Sequence, residues 1–233
     1  MTNSGASPIA AVYALLLLVG LPVLAAIDAR RGVELEEAAT HRRALYASVA
    51  VSLLVIAGAT LGVSAWQRVP IAEVGWRVED PGRSLAWGLG ATAVGLPLIW
   101  AITTAARAVG LTESPVAKLL MPRDAGETRA FLVLSGAAAV CEEYIFRGFL
   151  LWALTGWTGS VWFAAGVVSL SFGLAHGYQK LAGILRAALL GILLAVPTIL
   201  TGSLFPAIVA HFWINAAVGL GGWRLLLPDT DAG

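Results

Sequence analysis

AFLVLSGAAAVCEEYIFRGFLLWAL, residues 130–154, is the stretch on which the fold turns. Its apolar residues run on without the period-two alternation of a half-buried strand. About 20 helical residues cross a hydrocarbon core, so this run is long enough to span one. No water reaches the bilayer interior, so each backbone amide must bond within its own segment, which selects a helix. Yet Glu142, Glu143 and Arg147 lie in the middle of the run. A charge at bilayer depth costs about 2.5–3.5 kcal/mol on insertion scales, and more by simulation. Three such groups in one span need a use.

The rest of the 233-residue chain supports the same solvent. Hydrophobic residues make up 58% and charged residues 12%, against about a quarter charged in soluble domains. That leaves too little polar surface for a water-soluble particle of this size, so the predicted class is an all-α, polytopic transmembrane helix bundle of about seven spans in a single membrane domain, 1–233. Three N-terminal spans fall within 8–106, and the helices carrying the candidate chemistry within 128–223. A net charge of +1 offers no basic field for nucleic acid. The single cysteine, Cys141, permits no internal disulfide.

Seven apolar stretches qualify as spans: Pro8 to Ile27, Ala44 to Ala65, Leu85 to Ala106, Ala130 to Leu154, Val161 to Ala175, Leu181 to Leu200 and Leu204 to Gly222. The fifth is short and is interrupted by Gly166 and Gly173. Pro22, Pro97, Pro197 and Pro206 predict kinks that a bundle tolerates. The first stretch lacks a basic region before it and carries Asp28, Arg30 and Arg31 after it, so it reads as an uncleaved anchor rather than a signal peptide. With the N-terminus outside, the inside segments 28–43, 107–129, 177–186 and the C-terminal tail hold eleven of the fifteen Lys and Arg residues. Positive charge is enriched on cytoplasmic loops, so a multi-pass cell-membrane protein with N-terminus outside and C-terminus cytoplasmic is expected. Trp66, Trp87, Trp157 and Trp223 fall near span ends, where amphipathic rings settle. In the charged connector 28–43, Glu34, Glu36, Glu37 and His41 read as a solvated face. Residues 109–127 predict an interfacial helix near Val116 to Met121, then a Pro-Arg-Asp turn.

Two of the three histidines also lie in spans or at a span's end: His176 is next to last in SFGLAHG, which closes the fifth, and His211 opens HFWINA, with Asn215 one turn on. Residues at i and i+4 share a helix face, which pairs Glu143 with Arg147, Phe172 with His176, and His211 with Asn215. Glu142 stands about 100° further round and lacks the arginine partner. Three helices can converge these patches on one buried point holding a free carboxylate, two imidazoles, an amide and an ion pair. That set supports hydrolysis. A carboxylate shielded from bulk water can act as a general base. Two imidazoles and a carboxylate also make a ligand set for Zn2+ or another divalent metal, from Glu142, His176 and His211, with a position left for water. An Asn amide and a His N–H can donate to a developing oxyanion. The metal and metal-free readings share the same residues.

Other residues carry blander readings. Cys141 is a small packing residue. Ser169 and Ser171 precede His176 on its own helix, and Ser171 faces away, so no Ser–His pair is assigned. No His-Glu-x-x-His string occurs. The glycines allow close helix packing.

In order, EEYIFR (Glu142 to Arg147), FGLAH (Phe172 to His176) and HFWIN (His211 to Asn215) resemble the motifs of the CAAX-protease and bacteriocin-processing family, also called the CAAX amino-terminal protease or Abi family. IAEVGWR, Ile71 to Arg77, resembles its usual stretch before the third span. The resemblance implies an intramembrane endopeptidase acting on a membrane-associated or prenylated protein or peptide. It implies that Glu142 activates water with help from His176, that His211 and Asn215 hold the oxyanion, and that Glu143 and Arg147 orient the site, with a share in catalysis open to Glu143. The family is commonly called metalloprotease, and a metal-free glutamate mechanism has also been proposed for relatives. The implied partners are membrane lipid and a protein or peptide substrate, with no nucleic acid. Two other readings compete: a non-catalytic membrane scaffold or bacteriocin-immunity protein, and a proton-relaying transporter. The transporter reading lacks the paired broken segments of related halves.

Overall fold

A computed structural model of the chain describes residues 7–30, 39–111 and 114–226. Every regular element among the described residues is a helix, as unbroken apolar runs dictate. In chain order they are α1 (Pro8–Ile27) and α2 (Arg42–Trp66), α3 (Pro81–Ala108) and the short α4 (Pro115–Leu119). Then come α5 (Ala125–Glu143) and α6 (Leu151–Thr158), α7 (Val161–Ala175), α8 (Lys180–Thr201), α9 (Phe205–Ala217) and α10 (Trp223–Leu226).

The expected seven spans sort into three kinds. Among the described residues, five helices are long and apolar enough to cross a membrane: α1, α2, α3, α8 with its preceding turn, and α9 with its wide last turns. The expected fifth span is α7, whose 15 residues reach about 22 Å, short of a 30 Å core. The expected fourth span is a continuous helical run in which α5 and α6 are joined by wide π-type turns over Tyr144–Leu150. The charged residues sit where those turns begin. Such turns cluster at functional sites because they re-aim side chains without ending the helix.

The helix boundaries follow local chemistry. Asp80 caps α3 by accepting from Arg83 N at 2.9 Å, with Pro81 in the first turn. Asp124 caps α5 by accepting from Gly126 N and Glu127 N at 2.7 and 2.8 Å. Gly159, at φ 69°, ends α6, and Ser160 starts α7. Pro97 and Pro197 lie inside helices as expected. Pro206 does not kink one: it sits in the first turn of α9, where a missing N–H costs nothing. Pro22 follows the wide turns at Leu16–Gly20, and Leu18 O, the carbonyl its missing N–H would have used, accepts instead from Ser171 Oγ at 2.7 Å.

In the bundle α8 lies along α7 and α3, α9 packs on α3 and α5, and α2 packs on α5. The α7–α8 crossing requires glycine: a Cβ on Gly173 would stand 2.7 Å from both Ile184 O and the Ala188 Cβ. Small residues at a crossing let backbones approach, the main source of attraction between helices in lipid. Phe149, Leu150, Ile145 and Val168 fill the core, while Leu16, Val55 and Val133 are more than 60% exposed. Large apolar side chains pointing outward suit a lipid surround. Trp66, at the end of α2, is 74% exposed, as an interfacial ring would be.

Two expectations change at the connectors, and a third agrees where it can be read: Glu34, Glu36 and Glu37 lie outside the described residues, and His41 is exposed, as a solvated face would have it. The helix expected near Val116 to Met121 is only the five-residue α4, and it is tied down: Leu119 O accepts from Arg42 Nε and Leu120 O from Tyr46 Oη, both at 2.7 Å. It packs inward through Ala117 because these bonds satisfy its orphaned carbonyls. Arg186, counted above with a soluble connector, is partly buried inside α8. On the opposite side, Ile71–Trp76 tucks against the bundle: Leu204 N donates to Gly75 O at 2.9 Å, and Val74 is buried between Tyr144 and Leu204.

Candidate active site

Glu142 and Glu143 end α5, and the helix turn sends them different ways. Glu143 is fully buried. Its Oε1 accepts from Arg147 Nη1 at 3.0 Å, the expected i,i+4 pair, and from His211 Nδ1 at 2.7 Å. Arg147 is buried too, with its guanidinium carbon 4.5 Å from the Phe172 ring centroid. That cation–π contact helps to hold a charge away from water. Glu143 Oε2 and Arg147 Nε and Nη2 have no partner among the described residues.

Glu142 instead opens on a cavity of about 580 Å³, whose wall also includes Phe172, His176, His211 and Asn215. Thus α5, α7 and α9 bring four of the six candidate residues to one space, while Glu143 and Arg147 stand behind its wall. Most of the remaining wall is apolar, including Leu21 and Leu24 of α1 and Val49, Leu53 and Ile56 of α2. Phe172 is the hub of the aromatic contacts, with its ring centroid 4.7 Å from that of His176 and 6.2 Å from that of His211.

The hydrogen bonds fix the tautomers. A carbonyl only accepts, so His176 Nδ1 donates to Phe172 O at 2.8 Å, and Nε2 is left with its lone pair. Likewise His211 Nδ1–H donates to Glu143, which turns Nε2 toward Glu142 Oε2 at 3.8 Å, beyond hydrogen-bond length. Ser171 Oγ donates to Leu18 O at 2.7 Å, away from His176, and Cys141 is buried off the cavity wall, as their bland readings expect.

As they stand, the side chains fit a metal poorly. Each histidine has its Nδ1–H anchored, as metal-binding histidines do, but no group of three His, Cys, Asp or Glu among the described residues is gathered closely enough to hold an ion.

The same wall carries a polar group that the sequence reading passed over. Tyr178, Gln179 and Arg186 line the cavity next to His176. Gln179 Nε2 donates to Tyr178 Oη at 2.9 Å; Arg186 donates from Nη2 to Gln179 Oε1 at 3.2 Å and from Nη1 to Thr103 Oγ1 at 2.9 Å. The available signal was an arginine seven residues after a glutamine in an apolar helix, just past the histidine motif.

Residues 125–217 match the family model described as Rce1-like, type II CAAX prenyl endopeptidase Rce1-like. The match spans α5 through α9 and all three motifs. No curated protein and no solved structure matches the chain.

Proposed function

From the premise that the chain belongs, through residues 125–217, to the CAAX protease family, we propose that it is an intramembrane endopeptidase that cleaves a membrane-associated peptide carrying a prenyl group, with water activated by Glu142. The observation that carries this reading is the meeting of Glu142, His176, His211 and Asn215 on one cavity walled otherwise largely by apolar side chains of membrane helices.

Glu142 is the one carboxylate of the pair with access to water, so it takes the proton as water attacks the scissile carbonyl. The carbonyl oxygen becomes an oxyanion. The proton then passes to the departing amide nitrogen as the C–N bond breaks. His176, with a free lone pair at Nε2, assists as a proton acceptor beside Glu142. Asn215 donates an amide hydrogen to the oxyanion in every protonation state. His211 does so from Nε2 only when it holds a second proton, because its first is committed to Glu143. Glu143 and Arg147 position His211 and do not touch substrate. The apolar limb between α1 and α2 would take the lipid-like part of the substrate by burying apolar surface. We also propose the orientation that the charge bias favours, N-terminus outside and C-terminus cytoplasmic.

The test is hydrolysis, in liposomes holding the purified full chain, of an internally quenched peptide with an S-farnesyl cysteine four residues from its carboxyl end. The unaltered protein should cleave it, and Glu142→Gln should not. Equal cleavage by both proteins would remove Glu142 as the base. A protein that binds the peptide and never cleaves it would favour a scaffold role.

A further inference from the structure

The oxyanion in the proposed reaction is short of donors. Asn215 supplies one, and His211 adds a second only when both of its ring nitrogens carry protons, because its Nδ1–H is bound to Glu143. Beside His176 the cavity wall holds a chain of hydrogen bonds that all run in one direction. It begins at the Arg186 cation, whose Nη2–H reaches Gln179 Oε1 at 3.2 Å. The arginine can only donate, so the Gln179 amide must turn its oxygen toward it and its NH2 toward Tyr178. Gln179 Nε2–H then reaches Tyr178 Oη at 2.9 Å. The phenol oxygen is thus an acceptor in the chain, and its own proton is left to point onward. Among the described residues that proton meets no acceptor, and Tyr178 is in the cavity wall with Glu142, its ring centroid 6.2 Å from that of His176.

We propose that Tyr178 is a catalytic hydrogen-bond donor: its Oη–H binds the oxyanion of the scissile carbonyl together with Asn215. This rests on the endopeptidase reading above. Successive hydrogen bonds polarise one another, and a chain that starts at a cation strengthens the last donor. Arg186 and Gln179 are then positioning residues for that phenol, and Thr103 Oγ1, which accepts from Arg186 Nη1 at 2.9 Å, fixes the first member against α3. No covalent step involves the tyrosine, and its proton stays on Oη throughout. A donor aimed at charge that develops during the reaction is worth more in the transition state than in the ground state.

The farnesyl-cysteine peptide in liposomes again supplies the readout. Tyr178→Phe removes one oxygen and keeps the ring. It should lower kcat by roughly 10²-fold with KM nearly unchanged, the signature of an oxyanion donor. Gln179→Leu keeps the tyrosine and removes its polarising partner. It should lower kcat by about threefold, and by nothing further in a Tyr178→Phe background, because both changes act through one hydrogen. A kcat for Tyr178→Phe within about threefold of the unaltered protein would overturn the proposal, as would a loss expressed wholly in KM. Independent, additive losses in the double variant would overturn the relay. If Tyr178→Phe lowers the thermal midpoint, the Gln179→Leu pair decides. No cleavage by the unaltered protein removes the endopeptidase reading and this one with it, whereas cleavage that Tyr178→Phe leaves intact removes this one alone.

Discussion

Glu142 keeps 18% of its side chain exposed at the cavity wall, while Glu143, the next residue, is fully buried and gives one oxygen to both Arg147 and His211. Identical side chains, about 100° apart on one helix, therefore meet different solvents. One can exchange a proton with water. The other holds two partners in place and cannot reach a substrate without breaking them. In the proposed hydrolase the adjacent carboxylates would divide the labour, one for chemistry and one for geometry, with the helix turn assigning which is which.

The largest expected effect is on the exposed member. Glu142→Gln should reduce cleavage by about 10³-fold or more and leave the thermal midpoint in detergent where it was. If Glu143→Gln gave the same pattern, lost activity with unchanged stability, the division between the two would fail. On the buried side, Glu143→Gln or Arg147→Met alone should destabilise the protein by about 3–5 kcal/mol, because each leaves an uncompensated buried charge. The double substitution should cost less than the sum, and a double-mutant cycle reads that coupling directly. Additive losses would mean that the pair is not one unit.

How far the sequence led differs between the same two regions. The i,i+4 spacing correctly paired Glu143 with Arg147 and left Glu142 apart, because both facts are internal to one helix. Helix α7 spans Val161–Ala175, the predicted range, since Gly159 and Ser160 punctuate its start and His176 its end. That Glu143 grips His211, 68 positions away, depends on how α9 packs on α5, and no local signal carries it. Arg186 marked the end of a connector because charge usually does. It lies instead within α8, where Gln179 and Thr103 satisfy part of its hydrogen-bonding capacity. Likewise Ile71–Trp76 was a recognisable string whose docking on Leu204 only the tertiary structure reveals.

Smaller effects sharpen the comparison by testing what holds the helices together. Gly173→Ala drives a methyl group to 2.7 Å from Ile184 O at the α7–α8 crossing, and should cost about 1–3 kcal/mol of stability as an overpacked contact. Because His176 follows on the same helix, cleavage should fall along with the thermal midpoint; a neutral substitution would mean that the crossing is looser than drawn. Smallest is the cap outside the membrane. The Glu127 backbone N–H, foremost, holds the Asp124 carboxyl below its usual range. A carboxyl lowered in the native state stabilises above its unfolded value, near pH 4, and loses that contribution as pH falls through the lowered native value. Asp124→Asn should flatten that part of the stability profile while leaving activity at neutral pH intact, and an unchanged acid profile would contradict the cap.

The central claim is that Glu142 makes this membrane protein a protease. Comparing membrane-protein termini in cells that express the unaltered chain with those in cells expressing Glu142→Gln tests it most directly. New termini that appear only with the unaltered chain are the predicted result, and their sequences would identify the substrate. Identical terminus profiles, with both proteins inserted and equally abundant, would contradict it.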